Sequence, residues 1–390
     1  MNTAQHLHEN STVTSMEFNS SERSTLGVEV EYWIVDKTTG MPVACSVPIL
    51  AEMGRDHSGE HPKAKHELFE SSIEIITGIC ETPADARADL AATLDELRPH
   101  LDARGVTLMS SGTHPYAEWT DLVVTPNPRY AKLVEDIQWP ARRLMIHGVH
   151  VHVGVRSAEK SIHTVNGLTT YLPHLLALSC SSPYWESENT GMASARTKVF
   201  EVLPTAGIPP QLQNWHEFEQ FLDALIRAGS ISTVREVWWD VRPHPGFGTV
   251  ELRMCDGISS LEEVAAIAAL SQCIVTWFDR LVDAGAQVPV NPTWVVKENK
   301  WRAARYGMDA QVILDYHGNT RPLAEDLMEL VNHMRPFAME LGCSDELELV
   351  PQMIERGASY QRQLAVVANG GTLQDVVASL AAELAGGFSS

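Results

Sequence analysis

Three stretches decide the reading: GVEVEYWIV at Gly27–Val35, GVHVHVGV at Gly148–Val155 and GTVELRMCD at Gly248–Asp256. Each alternates with period two, the pattern of a β-strand whose two faces meet different surroundings. One face carries Val28, Val30, Tyr32 and Ile34, then Val149, Val151, Val153 and Val155, then Val250, Leu252 and Met254. The other presents Glu29 and Glu31, then His150 and His152, then Glu251 and Arg253. Residues i and i+2 lie roughly 7 Å apart along a strand. If the three strands share a sheet, one surface gathers three carboxylates, up to two imidazoles and a guanidinium.

Such a cluster repels itself unless it is protonated, spread apart in water or neutralised by cations. Oxygen donors with an occasional imidazole suit magnesium or manganese, whereas zinc would call for more His or Cys. On one strand alone, alternate polar residues more often just face water. Three strands with complementary donors favour a site. A fourth segment, HELFESSIEIIT at His66–Thr77, adds Glu74 on a strand-like alternation with Ile73 and Ile75. Glu67 needs a bend to reach the same face, and Glu70 reads as solvated.

Around these strands the chain interleaves helix and strand signals, so the expected class is α+β. Thr82 caps a helix with Pro83 at its first position, Leu90, Leu94, Leu97 and Leu101 form its apolar stripe, and Gly105 ends it. Asn214–Glu217 and Ser260–Glu263 read as capping boxes opening helices that end near Gly229 and Gly285. Pro126-Asn127-Pro128 and Ile208-Pro209-Pro210 read as loops. From about Asn319 to Ala385 the chain reads as mostly helical.

Composition narrows the partners. The net charge is −21, from 29 Lys+Arg against 50 Asp+Glu. That disfavours nucleic acid, and an anionic membrane surface for the same reason. An anionic substrate then needs a local inversion of field, which a divalent cation supplies. The six cysteines show no CxxC and read as buried free thiols in a reducing cytosol, so a cytoplasmic location is expected. Residues 1–24 lack a signal-peptide pattern and are expected to be a mobile tail. The longest uncharged helical run, Val264–Phe278, falls short of the roughly 20 residues a bilayer requires. Length alone suggests two or three domains of about 150 residues, and residues 25–390 read as one catalytic domain with a helical C-terminal part.

Phosphate-binding loops are missing. There is no Gly-Lys-Ser or Gly-Lys-Thr, and Gly246-Phe247-Gly248 lacks a third glycine and precedes a strand. A nucleotide would be held by metals and scattered arginines: Arg253, Arg142, Arg196 and Arg242 are the candidates, of which Arg253 stands out by spacing. No nucleophile elbow or protease-like cysteine appears.

Seven ordered stretches resemble the carboxylate–amine ligases of the bacterial glutamate–cysteine ligase type 2 family. They are GVEVEYWIVD at Gly27, ELFESSIEIITGIC at Glu67, GTHPYAEW at Gly112, TPNPRY at Thr125, GVHVHVGV at Gly148, LLALSCSSPYWESENTGMASAR at Leu175 and WDVRPHPGFGTVELRMCD at Trp239. The resemblance implies a glutamine synthetase-like catalytic fold: a curved, mostly antiparallel sheet with helices packed on one side. It implies that Glu29, Glu31, Glu67, Glu74, His150 and Glu251 hold two or three magnesium ions. By the same resemblance Arg253 faces the transferring phosphate and Arg196 contacts substrate or phosphate; His152 matches the motif. Val30 stands where the family more often has a third acidic residue, but on the core face. The implied reaction joins L-glutamate to L-cysteine with ATP through an acyl phosphate, a step in glutathione-type thiol biosynthesis. A homodimer is implied as well. The alternatives are a guanidino-kinase-like phosphotransferase and a non-catalytic sensor of magnesium and nucleotide.

Overall fold

The computed structural model describes residues 16–57 and 59–386. Its first strand, β1 (Leu26–Asp36), leads to α1 (Ser46–Met53), β2 (Ala64–His66) and β3 (Ser72–Ile76). Next come α2 (Pro83–Asp102), β4 (Val106–Met109), α3 (Pro128–Ile137), β5 (Gly148–Gly154) and α4 (Ala158–Ser179). A small hairpin, β6 (Tyr184–Trp185) and β7 (Glu188–Asn189), precedes α5 (Ala195–Phe200) and α6 (Trp215–Arg227). Then follow β8 (Val241–His244), β9 (Thr249–Asp256), α7 (Leu261–Asp283) and α8 (Thr293–Tyr306). A second short hairpin, β10 (Gln311–Ile313) and β11 (Thr320–Pro322), opens the helical end of the chain. That end holds α9 (Leu323–Leu341), α10 (Ser344–Leu347), α11 (Leu349–Arg356), α12 (Ser359–Ala368) and α13 (Leu373–Gly386).

The three alternating strands do share one sheet. Its order is β2-β3-β1-β5-β9-β8, with β4 paired to the second half of β1, and every pairing is antiparallel. The valine face of β1, β5 and β9 packs with Leu90, Leu94, Leu97 and Leu101 of α2 and with the apolar residues of α4 and α7. Val30 lies on this face and is fully buried. α2, α4 and α7 therefore cover one side of the sheet, an α+β arrangement.

The other face of β1 changes character along its length. Glu29 and Glu31 are followed on the same face by Trp33 and Val35, which pack with Met109 and with Val376, Val377 and Leu380 of α13. The C-terminal helix thus seals that end, and the polar half of the strand stays open.

Most helix boundaries follow the local signals. Thr82 and Asp85 form a reciprocal capping box, and Gly105, Gly229 and Gly285 take positive φ just past their helices. The other two boxes form only half. Asn214 and Ser260 each accept the N3 amide, but Glu217 turns to the Gln213 amide and Glu263 to Arg356 and Arg362. Pro126-Asn127-Pro128 is not all loop: the Asn127 side chain caps α3, with Pro128 at its first position. The apolar helix is also longer than the uncharged run suggested. α7 has 23 residues, long and apolar enough to cross a bilayer, but 89% of its apolar window is buried against the rest of the chain. All six cysteines are free and buried.

Of the tail expected over 1–24, residues 1–15 lie outside the described residues. The described part is seated: the Met16 amide donates to Glu219, Phe18 meets Trp215 edge-on, and the Ser21 amide donates to the Val155 carbonyl.

Gly167 lets α4 and α7 approach closely. A Cβ there would lie 2.7 Å from the Phe278 ring. Gly167→Ala should therefore lower stability by about 1–3 kcal/mol, despite its better helix propensity, when read by denaturant unfolding. An unchanged midpoint would show that the Phe278 ring yields freely.

Candidate active site

Sheet register brings the acidic and imidazole pairs together. Glu31 sits opposite Glu74, Glu29 opposite His150, and His152 opposite Glu251. Glu251 is flanked on its other side by Arg242 of β8. Glu67 follows β2 at a bend, and its carbonyl accepts the Thr125 hydroxyl at 2.6 Å, which fixes the loop. The result is a row of side chains running across β3, β1, β5 and β9 on the face away from the helices.

This row forms the floor of a cavity of about 860 Å³. It contains Glu29, Glu31, Glu67, Glu74, His150, His152, Glu251 and Arg253. Alternation suggested a half-exposed face, but both histidines are buried and Glu251 is only 1% exposed, and Leu144 and Ile146 before β5 and Arg235 and Trp238 before β8 line the same cavity. His150 Nδ1 lies 3.2 Å from Glu29 Oε2, and His152 Nε2 lies 3.4 Å from Glu29 Oε1 and 3.9 Å from Glu251 Oε1. The Gly148 amide donates to Glu31 Oε2 at 2.6 Å. Three overlapping groups have donor atoms within 4.8 Å of one another: Glu31–Glu67–Glu74, Glu29–Glu74–His150 and Glu29–His152–Glu251.

The charges in this row pull in opposite directions. Burial raises the Glu67 carboxyl, the Glu31 charge adds to it, and the group is pushed up to about 8. Glu74 is pushed well above its usual range by burial and then by Glu29, Glu67 and Glu31. Burial also opposes charge on Glu29, but hydrogen bonds from His150 and His152 outweigh it and hold the group well below the usual range. For Glu251 the opposing burial is overcome by Arg253, Arg242 and His152. His152 is raised: burial lowers it, but Glu251 and Glu29 more than compensate. One end of the row therefore keeps its negative charge, and the other holds protons unless cations arrive.

The arginines separate into distinct settings. Arg253 follows Glu251 on a β-bulge, since β9 carries one more residue than β5 between the pairs Val149–Cys255 and Val151–Leu252. Its amide donates to the Asp240 carbonyl at 2.7 Å, and Lys300 Nζ holds the Asp240 carboxylate at 2.7 Å. The Arg253 guanidinium meets Glu251 through Nη1, while its buried Nε has no partner among the described residues. Arg196 lies against Gly148, where a Cβ would stand 2.4 Å from Nη2, and its Nε is likewise unpartnered among the described residues.

Arg242 is different. Its Nε and Nη2 grip both oxygens of Glu251 at 2.7 and 3.2 Å, and its Nη1 donates to the carbonyls of Val234, Arg235 and Val237. It lines the cavity, as a nucleotide contact would, and its guanidinium is engaged in holding Glu251. Arg142 does not line the cavity: it lies on a short 3-10 turn and donates to Gln138. The cavity takes Arg129, Arg235 and Lys65 in its place. Arg129 lay in the quoted TPNPRY stretch, and the helix that Asn127 caps was the signal that could have found it; Arg235 and Lys65 carry none.

The family model described as glutamate-cysteine ligase family 2 (GCS2) matches residues 25–379. The chain belongs to this family. Among relatives, a protein of Thermobifida fusca named "Putative glutamate--cysteine ligase 2" is 48% identical over 374 residues, covering 96% of this chain and 94% of that one. "Putative glutamate--cysteine ligase 2-1" of Frankia alni is 50% identical over 370 residues, covering 94% of this chain and 97% of its own. Family 2 membership makes the chain an ATP-dependent ligase that forms a carbon–nitrogen bond between a carboxylate and an amine.

Two solved structures share the fold. The glutamate–cysteine ligase of Francisella tularensis, in complex with AMP, superposes with a TM-score of 0.67 at 12% identity, over 95% of this chain and 94% of that one. The bifunctional glutathione synthetase of Pasteurella multocida gives 0.65 at 15% identity over 94% of this chain, which spans 53% of that longer protein.

Proposed function

We propose that the cavity binds magnesium–ATP across the three donor groups and that the enzyme joins the side-chain carboxylate of L-glutamate to the amine of L-cysteine. The observation that carries this reading is the overlap of those groups through shared Glu29 and Glu74, with Arg253 beside them. The donor set fits a hard divalent cation: Glu29, Glu31, Glu67, Glu74 and Glu251 offer oxygens, with His150 and His152 on the strand between Glu29 and Glu251. Protons on Glu67 and Glu74 would stand in for such ions when these are absent. Bound magnesium would draw electron density from the phosphate oxygens. Here His152 joins the metal donors, since it shares a group with Glu29 and Glu251.

The chemistry has two balanced steps. A carboxylate oxygen of glutamate bonds to the γ-phosphorus as the bridging P–O bond to ADP breaks. The cysteine nitrogen then bonds to the acyl carbon, phosphate leaves with the C–O electron pair, and the amine loses a proton to solvent. Arg253 stabilises charge on the transferring phosphoryl group, Arg196 is the candidate substrate contact, and Arg242 keeps Glu251 in place. Positioning and charge stabilisation carry the rate.

Phosphate release with magnesium and ATP tests the reading. ADP and phosphate should appear only when glutamate and cysteine are both present. A stable phosphorylated product from one acceptor would make the enzyme a phosphotransferase, and nucleotide binding without turnover on any amino-acid pair would make it a sensor.

A pH dependence follows from Glu67. With its carboxyl pushed up to about 8 in the fold, the native state holds a proton that the unfolded chain has lost. Without cations, stability should therefore fall as pH rises from the ordinary carboxylate range toward 8. Magnesium relieves this, so the melting-temperature rise it produces should be larger near pH 8.5 than near pH 6. A magnesium effect that shrinks with pH would contradict the assignment of Glu67.

A further inference from the structure

One end of the cavity adds Phe247, His244 and Trp238, which the chemistry above does not use. The β8–β9 turn places Phe247 on the cavity wall with 57% of its surface exposed. One face of the ring lies on His244 in a parallel stack, with centroids 4.1 Å apart and planes at 11°. His152 meets the ring edge-on at 5.6 Å. Trp238 lines the same cavity.

The turn is clamped from outside by the N-terminal segment. The Asn19 amide donates to the Pro245 carbonyl at 3.0 Å, Asn19 Nδ2 donates to the Gly246 carbonyl at 2.8 Å, and Ser21 Oγ donates to the Gly248 carbonyl at 3.3 Å. Gly248 has φ +67, and a Cβ there would lie 1.4 Å from the Asn19 carbonyl oxygen. Only glycine lets the segment close on the turn.

A rigid, open aromatic face at a cavity wall calls for a flat partner. Among the reactants of the proposed ligation, glutamate and cysteine have no planar ring; the purine base does. Position agrees. Phe247 touches His152, which belongs to the donor group with Glu29 and Glu251. From β9 to β3 the donor row spans three strand spacings, about 14 Å, enough for a triphosphate and an acyl acceptor in line. The far end near β2 and β3 offers Lys65 and Arg129 to substrate carboxylates.

Resting on the magnesium–ATP reading, we propose that the open face of Phe247 stacks the nucleotide base and that Asn19 and Ser21 hold this platform in place. The base enters at the β8–β9 end, and the phosphates run along the row toward Arg253.

Steady-state kinetics of the full-length chain, paired with titration of magnesium tripolyphosphate as a baseless probe, tests this. Phe247→Ala should raise the KM for ATP about 10-fold or more, with kcat and the amino-acid KM values nearly unchanged. Phe247→Trp should restore it. Tripolyphosphate should bind wild type and Phe247→Ala equally. Gly248→Ala, which evicts Asn19, should raise the KM for ATP in the same direction. An unchanged KM for ATP in Phe247→Ala overturns the platform alone, as does an equal loss of tripolyphosphate affinity. A wild-type chain that binds neither ATP nor tripolyphosphate with magnesium overturns the underlying reading and the platform with it.

Discussion

Glu29→Gln is expected to lower ATP turnover by about a thousandfold or more while leaving the melting transition nearly in place. Glu29 belongs to two of the three donor groups and touches both His150 and His152. Glutamine keeps the volume and a hydrogen-bond acceptor but removes the charge that both imidazoles and any bound cation require. The change sits on the open face of β1, so the valine core behind it is untouched. Phosphate release at saturating substrates and a circular-dichroism melt check the two halves of this expectation. A wild-type rate in a folded variant would mean that the donor row is not where phosphate is activated.

Arg242→Met should cost about 3–5 kcal/mol of stability and remove most of the activity. The substitution strips the buried Glu251 of a two-pronged partner and takes the Arg242 donor away from the carbonyls of Arg235 and Val237. Breaking one side of a buried ion pair leaves the other charge without solvent, which is why the penalty far exceeds that of a surface pair. Lys132→Met is the control. Lys132 and Asp136 pair at 2.7 Å with side chains 68% and 51% exposed, so that change should leave the unfolding midpoint nearly where it is. Urea midpoints of the two variants that move equally would refute the burial argument.

The site was legible where side-chain alternation alone decides direction. Glu29, Glu31, His150, His152 and Glu251 all fall on one face because period two leaves no other choice once the valines are buried, and Arg253 joins them at the bulge of β9. Glu74 was equally readable, and its place directly opposite Glu31 follows from β3 pairing with β1. What stayed hidden depends on pairings that local sequence does not encode. Arg242 lies on a four-residue strand, VRPH, whose proline breaks the strand signal, so its grip on Glu251 could not be foreseen. The β9 bulge is invisible for the same reason: it exists only relative to the register of β5. Nor does local sequence say which turn faces the cavity, so Arg142 reads as a candidate although Arg129 is the one that lines it. Residues 16–24 lack any periodic pattern, and their anchors, single contacts from Phe18, Asn19 and Ser21 to residues some 200 positions away, have no local signature.

The two-sidedness of β1 restricts how such an enzyme can diverge. Its polar positions are committed to the donor row, the alternating ones to the helices beneath, and Trp33 and Val35 to the stopper formed by α13. A one-residue insertion anywhere in that strand would exchange wet and dry surfaces at a stroke. New substrate preferences therefore have to arise in the connecting segments at the cavity rim, such as those carrying Lys65, Arg129 and Trp238, while the strands themselves stay locked in phase.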